Sequence, residues 1–243
     1  MSIQEVHTED LQSEGFPSAN LNSARNPVSI GVLGGTFNPP HVGHLALARG
    51  AREQLGLACV LMMPANIAPN KHGNTGRPSA REDPGAEQRL AMCRIAVAGE
   101  PGIEASALEV ERGGVSYTVD TLRALHAMHS EAELTLIVGA DTARTMSSWR
   151  EPEELLQLAS LAVAERDELD ADAVGKALAG LRVTPRMTML RMNKIDVSSS
   201  RVRELVAVGA PVTKLVGEGV ASYIAEHGLY DPTEAYATMD GDT

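Results

Sequence analysis

Short apolar runs alternate with segments of helical periodicity along most of this chain. Apolar runs that end at glycine or proline predict strands, because those two residues punctuate regular structure. The run 28–33 ends at a glycine pair, and the run 59–63 is closed by Pro64. The predicted strands are 28–33, 59–63, 134–138, 161–164 and 187–192, with a further extended segment at 103–110.

Between these runs, apolar residues recur every three or four positions, which is the spacing of one helix face. In the segment 44–55, for example, Leu45, Ala48 and Leu55 share a face. Strands that alternate with helices imply parallel strands joined by crossovers. The pattern therefore predicts an α/β fold: a Rossmann-like, doubly wound parallel sheet with helices on both faces. The predicted helices are 44–55, 87–98, 118–128, 153–159, 171–181, 199–208 and 217–227.

The two ends of the chain lack this alternation. Residues 1–27 are polar without a clear period and predict a disordered extension or an alternative start, and residues 231–243 predict a loose tail. Residues 28–230 remain as a single domain that is long enough to bury a core. Within it, the segment 65–84 is rich in proline, asparagine and glycine, which predicts a long loop, and loops of that length are usually either functional or disordered.

Composition limits the partners that this domain can have. Aromatic residues make up only 3% of the chain, so the core must be built from Ala, Val, Leu, Ile and Met. The net charge of −11 argues against long nucleic acids, whose binding depends on many Lys and Arg contacts to phosphates. A small anionic ligand remains possible, because it needs only a few local cations.

Cysteine use and hydropathy bear on the compartment. The two cysteines, Cys59 and Cys93, have no cysteine near them in sequence, which suits a reducing environment and offers no zinc-knuckle spacing. No apolar run is long enough to span a bilayer, and no signal peptide is recognisable. We expect a cytoplasmic protein without a membrane partner, and the sequence leaves a homo-oligomer open.

The first strand is followed by a segment with candidate chemistry, at the sheet edge where open α/β folds bind ligands. Gly34 and Gly35 let the backbone turn sharply and approach a ligand closely. His41 and His44 share one face of a first helical turn, where unpaired N–H groups also point outward. Together they predict a phosphate cradle with two imidazole donors. Two alternatives are a histidine pair that only packs or caps, and a metal site, for which no third ligand is obvious nearby.

A second candidate site lies near the end of the chain, in the segment Val-Ser-Ser-Ser-Arg-Val-Arg at 197–203. Ser199 or Ser200 is predicted to be the N-cap of the helix that follows. Arg203 then falls in about the first turn. Hydroxyls, helix amides and a guanidinium would point at one anion, which suits the β- and γ-phosphates of a nucleotide. The alternative is a solvated, capped helix.

Both segments resemble signatures of the nucleotidyltransferase superfamily. Residues 35–44 resemble its G-x-F-x-P-x-H-x-G-H motif, and residues 197–203 resemble its I-S-S-T-x-I-R motif. The resemblance implies that both histidines bind ATP phosphates and stabilise charge at the α-phosphate, with Arg203 as their partner in catalysis. Asn38 stands where bacterial relatives often have Asp. The ATP-binding residues implied are Gly34, Gly35, Thr36, Phe37, His41, His44, Asp141, Ser198, Ser199, Ser200 and Arg203.

Two further segments resemble the bacterial nicotinate-nucleotide adenylyltransferases. Residues 113–122, GGVSYTVDTL, are similar to their G-x-S-Y-T-x-D-T-L motif, and Gly139-Ala140-Asp141 with Trp149 is similar to their G-x-D…W arrangement. In that family the threonine helps bind the pyridine carboxylate and the tryptophan stacks on the pyridine ring. The resemblance thus implies Tyr117, Thr118 and Trp149 as substrate-binding residues. A plain capped helix for the first segment, and a core tryptophan, remain the alternatives.

Three basic residues match positions of the same family. Lys71, in the long loop, is implied as a mobile phosphate ligand, although Asn70 replaces the histidine usual before it. Arg166 is implied as a substrate-binding residue in a loop that departs from the relatives. Arg89 has either a structural role or a role in binding the substrate phosphate. The closing segment, 220–230, is interpreted as packing.

The activity implied is transfer of the adenylyl group of ATP to nicotinic acid mononucleotide, which gives nicotinic acid adenine dinucleotide and pyrophosphate. Mg²⁺, bound mainly through the ATP phosphates, is the implied cofactor, and no protein ligand to it is predicted. The rivals are another superfamily enzyme, such as a pantetheine-phosphate adenylyltransferase or a glycerol-phosphate cytidylyltransferase, and a non-catalytic nucleotide-binding regulator. The GGVSYTVDTL segment and Trp149 speak against the first class.

Overall fold

Six parallel strands form one sheet at the centre of the computed structural model, which describes residues 27–69, 83–165, 170–193 and 195–231. The strands lie in the order β3-β2-β1-β4-β5-β6. Their bounds are β1 Ser29–Gly35, β2 Cys59–Pro64, β3 Ile103–Ala105, β4 Glu133–Gly139, β5 Ala159–Ala164 and β6 Met187–Leu190.

Helices connect successive strands. After the last strand, the segment 199–230, with three helices, forms the C-terminal cap of the domain. A 3₁₀ turn at Met146–Ser148 precedes the connection to β5. The predicted α/β class and doubly wound sheet are confirmed. The helices are α1 Val42–Leu55, α2 Ala86–Val97, α3 Leu108–Arg112, α4 Thr118–Met128, α5 Ala140–Ala143, α6 Pro152–Leu158, α7 Asp170–Leu178, α8 Ser199–Ala207, α9 Thr213–Val216 and α10 Glu218–Glu226.

The strand order reverses between β1 and β4. The chain winds outward from β1 to β3, then returns across the sheet so that β4 pairs with the other side of β1, with Val32 opposite Leu136. Connections on either side of this point leave in opposite directions, which opens a crevice at the carboxyl ends of these strands. The loops after β1 and β4 are therefore the expected walls of a ligand site.

Side chains alternate between the two faces of the sheet and feed a separate core on each. On β2, Cys59 and Leu61 enter one cluster, while Val60 and Met62 enter the other. A Cβ atom at Gly31 would lie 2.8 Å from side-chain atoms of both Ile137 and Leu57, so the central strand needs glycine there. A third cluster packs α8, α9 and α10 against α2, and the cores are mainly aliphatic, as the composition predicts.

Most predicted elements are confirmed, and the main error is the extended segment at 103–110. There, β3 ends at Ala105, and the short helix α3 begins at Leu108. The Ser106 hydroxyl accepts a hydrogen bond from the Leu108 amide (3.3 Å), which turns the chain out of the strand. A helix of five residues is too short to display a period. The helices α5 and α9, of four residues each, were not predicted for the same reason.

The predicted terminal segments fall almost wholly on residues 1–26 and 232–243, which lie outside the described residues. Most of the predicted long loop, residues 70–82, lies outside them as well. Within the described ranges, no helix is long and apolar enough to cross a membrane.

Candidate active site

Helix α1 begins with the two histidines in close contact. His41 is the N-cap, in an extended conformation, and its backbone N–H donates a hydrogen bond to Nδ1 of His44 (3.2 Å). Their rings stack with centroids 3.6 Å apart and planes inclined by 17°. Because Nδ1 of His44 accepts a hydrogen bond, its proton resides on Nε2, which makes Nε2–H a donor for an anion.

The imidazole of His41 is only 9% exposed. Burial lowers its pKa to about 4, so it is neutral at physiological pH. Its Nδ1 is buried and finds no hydrogen-bond partner among the described residues. A Cβ atom at Gly43 would lie 3.1 Å from this Nδ1 and 3.0 Å from Val197, which explains the glycine between the two histidines.

Phe37 packs against the second histidine of this pair. Its side chain is 2% exposed, and its ring meets that of His44 edge to face at 4.9 Å between centroids. Its backbone lies in the left-handed region, with φ of 50°, which is costly for a residue other than glycine and is common at functional sites. A Cβ atom at Gly35 would lie 3.1 Å from the Phe37 ring. Any nucleotide contact from Phe37 must therefore come from its backbone.

The serine segment caps α8 differently from the prediction. Ser198 is the N-cap, and its hydroxyl accepts a hydrogen bond from the amide of Arg201 (3.2 Å). The prediction of Ser199 or Ser200 as the cap is wrong, because the Ser199 hydroxyl instead donates to the carbonyl of Pro39 (2.8 Å). That bond ties the start of α8 to the loop after β1.

Arg203 makes the second link between the two motifs. Its Nη1 donates to the backbone carbonyl of Asn38 (2.8 Å), and its Nη2 contacts the Ser200 hydroxyl at 3.3 Å. Asn38 lies in the loop after β1, three residues before His41. The two motifs therefore converge, and the beginnings of α1 and α8 lie side by side as one candidate anion site.

A cavity of about 400 Å³ opens beside the loop after β1, at the carboxyl ends of the central strands. Six predicted site residues line it: Gly34, Gly35, Thr36, Tyr117, Thr118 and Trp149. The predicted residues His41, His44, Arg203 and Ser198 to Ser200 lie outside this lining. The site thus has two parts that share the β1 loop, an anion-binding part and a cavity. Asp141, at the start of α5, is exposed and forms an ion pair with Arg144.

Trp149 combines the two roles that the sequence left open. The side chain lines the cavity and also packs against the core cluster that contains Cys59 and Leu61. The indole N–H donates to the hydroxyl of Thr145 (3.1 Å), which fixes the ring orientation. A flat, oriented indole at a cavity wall is suited to stack on a planar aromatic ligand.

Arg150 is a candidate functional residue that sequence reasoning missed. Its guanidinium lies 4.7 Å from the centre of the Tyr117 ring and contacts carboxylates of Asp120 (3.4 Å) and Glu151 (3.2 Å). Among the described residues that line the cavity, it is the only cation. Glu151 has a left-handed backbone, with φ of 50°, and pairs with Arg123. The signal available in the sequence was its position directly after the tryptophan.

Buried polar groups hold the GGVSYTVDTL segment in place. Glu109, which lines the cavity, accepts a hydrogen bond from the Thr121 hydroxyl (2.6 Å), and burial raises the pKa of its carboxyl group. The Ser116 amide donates to the carbonyl of Ile67, and the Ser116 hydroxyl accepts from the amide of Asn66, both at 2.9 Å. The loop after β2 and the start of α4 are thereby joined.

Arg89 has a structural role. It is 1% exposed and donates to Asp83 (2.9 Å) and to three backbone carbonyls of the loops after β1 and β2. These bonds occupy most of its five N–H groups, and they brace the two loops against α2. Lys71 and Arg166, the other predicted basic residues, lie outside the described residues.

Comparisons with known proteins show the family of the chain. The Cytidylyltransferase-like family model matches residues 32–205. The probable nicotinate-nucleotide adenylyltransferase of Herpetosiphon aurantiacus is 39% identical over 201 residues, which covers 83% of this chain and 98% of that protein. The protein of the same description from Symbiobacterium thermophilum is 40% identical over 203 residues, covering 83% and 94%.

Solved structures show the same fold. Plasmodium falciparum nicotinic acid mononucleotide adenylyltransferase complexed with NaAD superposes with a TM-score of 0.66 at 18% identity, covering 83% of this chain and 97% of that one. The same enzyme complexed with APC gives a TM-score of 0.61 at 16% identity, covering 83% and 96%. At these identities the likeness concerns the fold of the chain.

Proposed function

The chain belongs to the cytidylyltransferase-like family and, within it, to the nicotinate-nucleotide adenylyltransferases, and we propose that it transfers the adenylyl group of ATP to nicotinic acid mononucleotide. The products are nicotinic acid adenine dinucleotide and pyrophosphate. The observation that carries this proposal is the hydrogen bond from Arg203 to the Asn38 carbonyl, because it brings the two phosphate-binding motifs together. The cavity beside them supplies room for the second substrate.

The anion-binding part would hold the triphosphate of ATP. Backbone amides at the start of α1 and the Nε2–H of His44 would be donors for the oxygens of the α-phosphate. His41, neutral because burial lowers its pKa to about 4, would act as a hydrogen-bond donor rather than as an acid. Arg203 and the hydroxyls of Ser198 and Ser200 suit the leaving phosphates. Backbone groups of Gly34, Gly35, Thr36 and Phe37, and the carboxylate of Asp141, complete the proposed nucleotide contacts.

The cavity would hold the pyridine nucleotide. Trp149 offers a stacking surface for the pyridine ring, and the first turn of α4, at Tyr117 and Thr118, offers amides and a hydroxyl for its carboxylate. Arg150, whose guanidinium also contacts the carboxylates of Asp120 and Glu151, is a cationic donor at the same wall. A cation favours a carboxylate over an uncharged carboxamide, so Arg150 would help the site to prefer the nicotinate form.

Catalysis would depend on alignment and charge neutralisation. The 5′-phosphate of nicotinic acid mononucleotide attacks the α-phosphorus in line, a new P–O bond forms, and the bond to the leaving pyrophosphate breaks. The nucleophile is already an anion at neutral pH, so no strong general base is needed. Donors fixed before the reaction, such as the Nε2–H of His44, would stabilise the charge that develops at the α-phosphate.

Mg²⁺ is the proposed cofactor, bound mainly through the ATP phosphates. Among the described residues, no group of three or more His, Cys, Asp or Glu side chains is gathered to hold a metal. A magnesium ion that keeps phosphate and water ligands does not require such a group of side chains. When bound, the ion would neutralise negative charge on the triphosphate. We also propose a cytoplasmic location, which the two buried, free cysteines suit.

A substrate panel tests the proposed activity. Pyrophosphate release from ATP should require nicotinic acid mononucleotide and should be slower with the amide analogue. Release with 4′-phosphopantetheine instead would favour a pantetheine-phosphate adenylyltransferase, and release with CTP and glycerol phosphate would favour a cytidylyltransferase. Nucleotide binding without any pyrophosphate release would favour the non-catalytic regulator.

A further inference from the structure

A tyrosine at the end of the closing segment reaches the loop that precedes the histidines. The hydroxyl of Tyr230 donates a hydrogen bond to the side-chain oxygen Oδ1 of Asn38 (2.7 Å), across 192 positions of sequence. Both residues are buried, with exposures of 2% and 5%. A buried hydrogen bond between two side chains this far apart in sequence links the C-terminal cap directly to the candidate active site.

Asn38 is held from two directions. Its carbonyl oxygen accepts from Arg203, and its side chain accepts from Tyr230. The residues beside it are also constrained, because Phe37 has a left-handed backbone and the carbonyl of Pro39 accepts from Ser199. The position of Asn38 therefore sets the path of the loop that delivers His41 to the start of α1.

Packing within the C-terminal cap places the Tyr230 hydroxyl beside Asn38. Tyr230 packs in the third core cluster with Met92, Val202 and Ile224, and the amide of Leu229 donates to the carbonyl of Ile224 (2.9 Å). Its backbone lies in the left-handed region, with φ of 67°, a conformation that persists in a bulky residue only where its surroundings enforce it. Burial raises the pKa of its phenol, so the hydroxyl keeps its proton and remains a donor.

We propose that Tyr230 is a positioning residue for adenylyl transfer, acting through Asn38 to fix the histidine loop relative to Arg203. The inference rests on the proposed function, and it corrects the interpretation of the closing segment as packing alone. Tyr230 does not need to touch a substrate. Its hydroxyl restrains a loop whose displacement by about 1 Å can cost up to 10²-fold in rate.

Tyr223 provides a matched control on the same cap. Its hydroxyl donates to the side-chain oxygen Oε1 of Gln88 (2.6 Å), again a phenol bonded to a side-chain amide. Gln88 belongs to α2, outside the histidine loop and outside the cavity lining. Tyr223→Phe and Tyr230→Phe thus remove the same type of bond from the same cluster, and they differ in what that bond holds.

The experiment compares kcat, KM and Tm of the full-length wild type and the two Phe variants. We expect a modest loss in Tm for each variant, larger for Tyr230→Phe because its hydrogen bond is buried while that of Tyr223 is only partly buried. A fall in kcat of roughly tenfold or more is expected for Tyr230→Phe alone, within the range that loop misplacement can produce. Equal kcat values for the two variants would overturn the proposal. Wild-type protein that released no pyrophosphate at all would instead refute the proposed function.

Asn38→Leu, which keeps the branched shape and heavy-atom count of the side chain but removes the acceptor, gives a second measurement. If Tyr230 acts through Asn38, the double variant Tyr230→Phe, Asn38→Leu should have nearly the kcat of Asn38→Leu alone. Multiplying losses in the double variant would overturn the coupling. This comparison is made among active, folded variants, so it stays informative if Tyr230→Phe lowers stability more than expected.

Discussion

The backbone N–H of His41 donates to the Nδ1 of His44, while the rings of the same two residues stack 3.6 Å apart. One hydrogen bond therefore caps the helix and sets the tautomer of the second imidazole. The burial that lowers the pKa of His41 keeps that ring neutral, so two positive charges do not face each other. The pair is thereby prepared as donors of hydrogen bonds.

Replacement of His44 tests its role in stabilising charge. His44→Ala should lower kcat by about 10²-fold or more, as does the loss of one oriented donor at a reacting centre in other enzymes. The Tm should change little, because His44 is only partly buried. His126→Ala, which removes an exposed histidine from α4, is the control and should leave kcat unchanged. Normal activity of His44→Ala, or its failure to fold, would contradict the assignment.

The buried state of His41 predicts a dependence of stability on pH. Its folded pKa of about 4 lies below the ordinary value of 6.5, so between these two pH values the unfolded chain binds more protons than the folded one. The free energy of unfolding should thus fall as pH decreases through this window, by roughly 3 kcal/mol in total from this group.

Urea unfolding at several pH values measures this term. His41→Asn, which cannot titrate, should show a shallower fall than the wild type between pH 6.5 and about 4, and the two curves should run parallel at lower pH. Identical pH profiles over the whole range would mean that His41 is not titrating from a buried, neutral state.

Trp149 should contribute more to the binding of nicotinic acid mononucleotide than to the binding of ATP. Trp149→Ala removes the stacking surface of the cavity and should raise KM for nicotinic acid mononucleotide several-fold more than KM for ATP. Trp149→Phe, which keeps an aromatic face, should recover much of the difference. Equal changes in both KM values, together with a large loss of Tm, would indicate a tryptophan that serves the core alone.

Arg150 should contribute to the choice between the nicotinate and nicotinamide forms. Arg150→Gln removes the charge and should reduce the ratio of kcat/KM for the acid to that for the amide by about tenfold, since a charge-assisted hydrogen bond contributes about 1.5–3 kcal/mol. Arg94→Gln, at an exposed position on α2, is the control. An unchanged ratio in Arg150→Gln would exclude its guanidinium from substrate selection.

Arg89 should affect stability rather than substrate binding. Arg89→Met leaves three backbone carbonyls and the Asp83 carboxylate without their donor, and should cost about 3 kcal/mol or more in the free energy of unfolding. Denaturant unfolding measures the loss. Wild-type stability together with a raised KM for nicotinic acid mononucleotide would indicate instead that Arg89 binds the substrate phosphate.

Much of the fold follows from local pattern. Helix α4 was predicted over its observed span, and both segments that resemble family motifs were recognised, because periodicity and motif spacing are properties of neighbouring residues. Helix α3 was missed because five residues cannot reveal a period. The capping role of Ser198 was missed because three serines in a row compete for it, and the contact of Ser199 with Pro39 decides between them.

The features that the sequence did not predict depend on contacts between residues far apart in the chain. The reach of Tyr230 to Asn38 and the placement of Arg150 over Tyr117 depend on how whole elements pack, so no local pattern encodes them. Arg89 matched a family position, but only its partners could decide between support and substrate binding. The sequence thus indicated the family, and packing determined which side chains lie together at the candidate site.

Transfer of label from ATP tests the central claim most directly. ATP radiolabelled at the α-phosphorus should pass its label, in the presence of nicotinic acid mononucleotide, to a dinucleotide formed in equal amount to the pyrophosphate released. The rate should fall at least about 10²-fold in both His44→Ala and Arg203→Ala, because their motifs are proposed to act on one nucleotide. Label that stays in ATP or AMP, or undiminished transfer in either variant, would contradict the account.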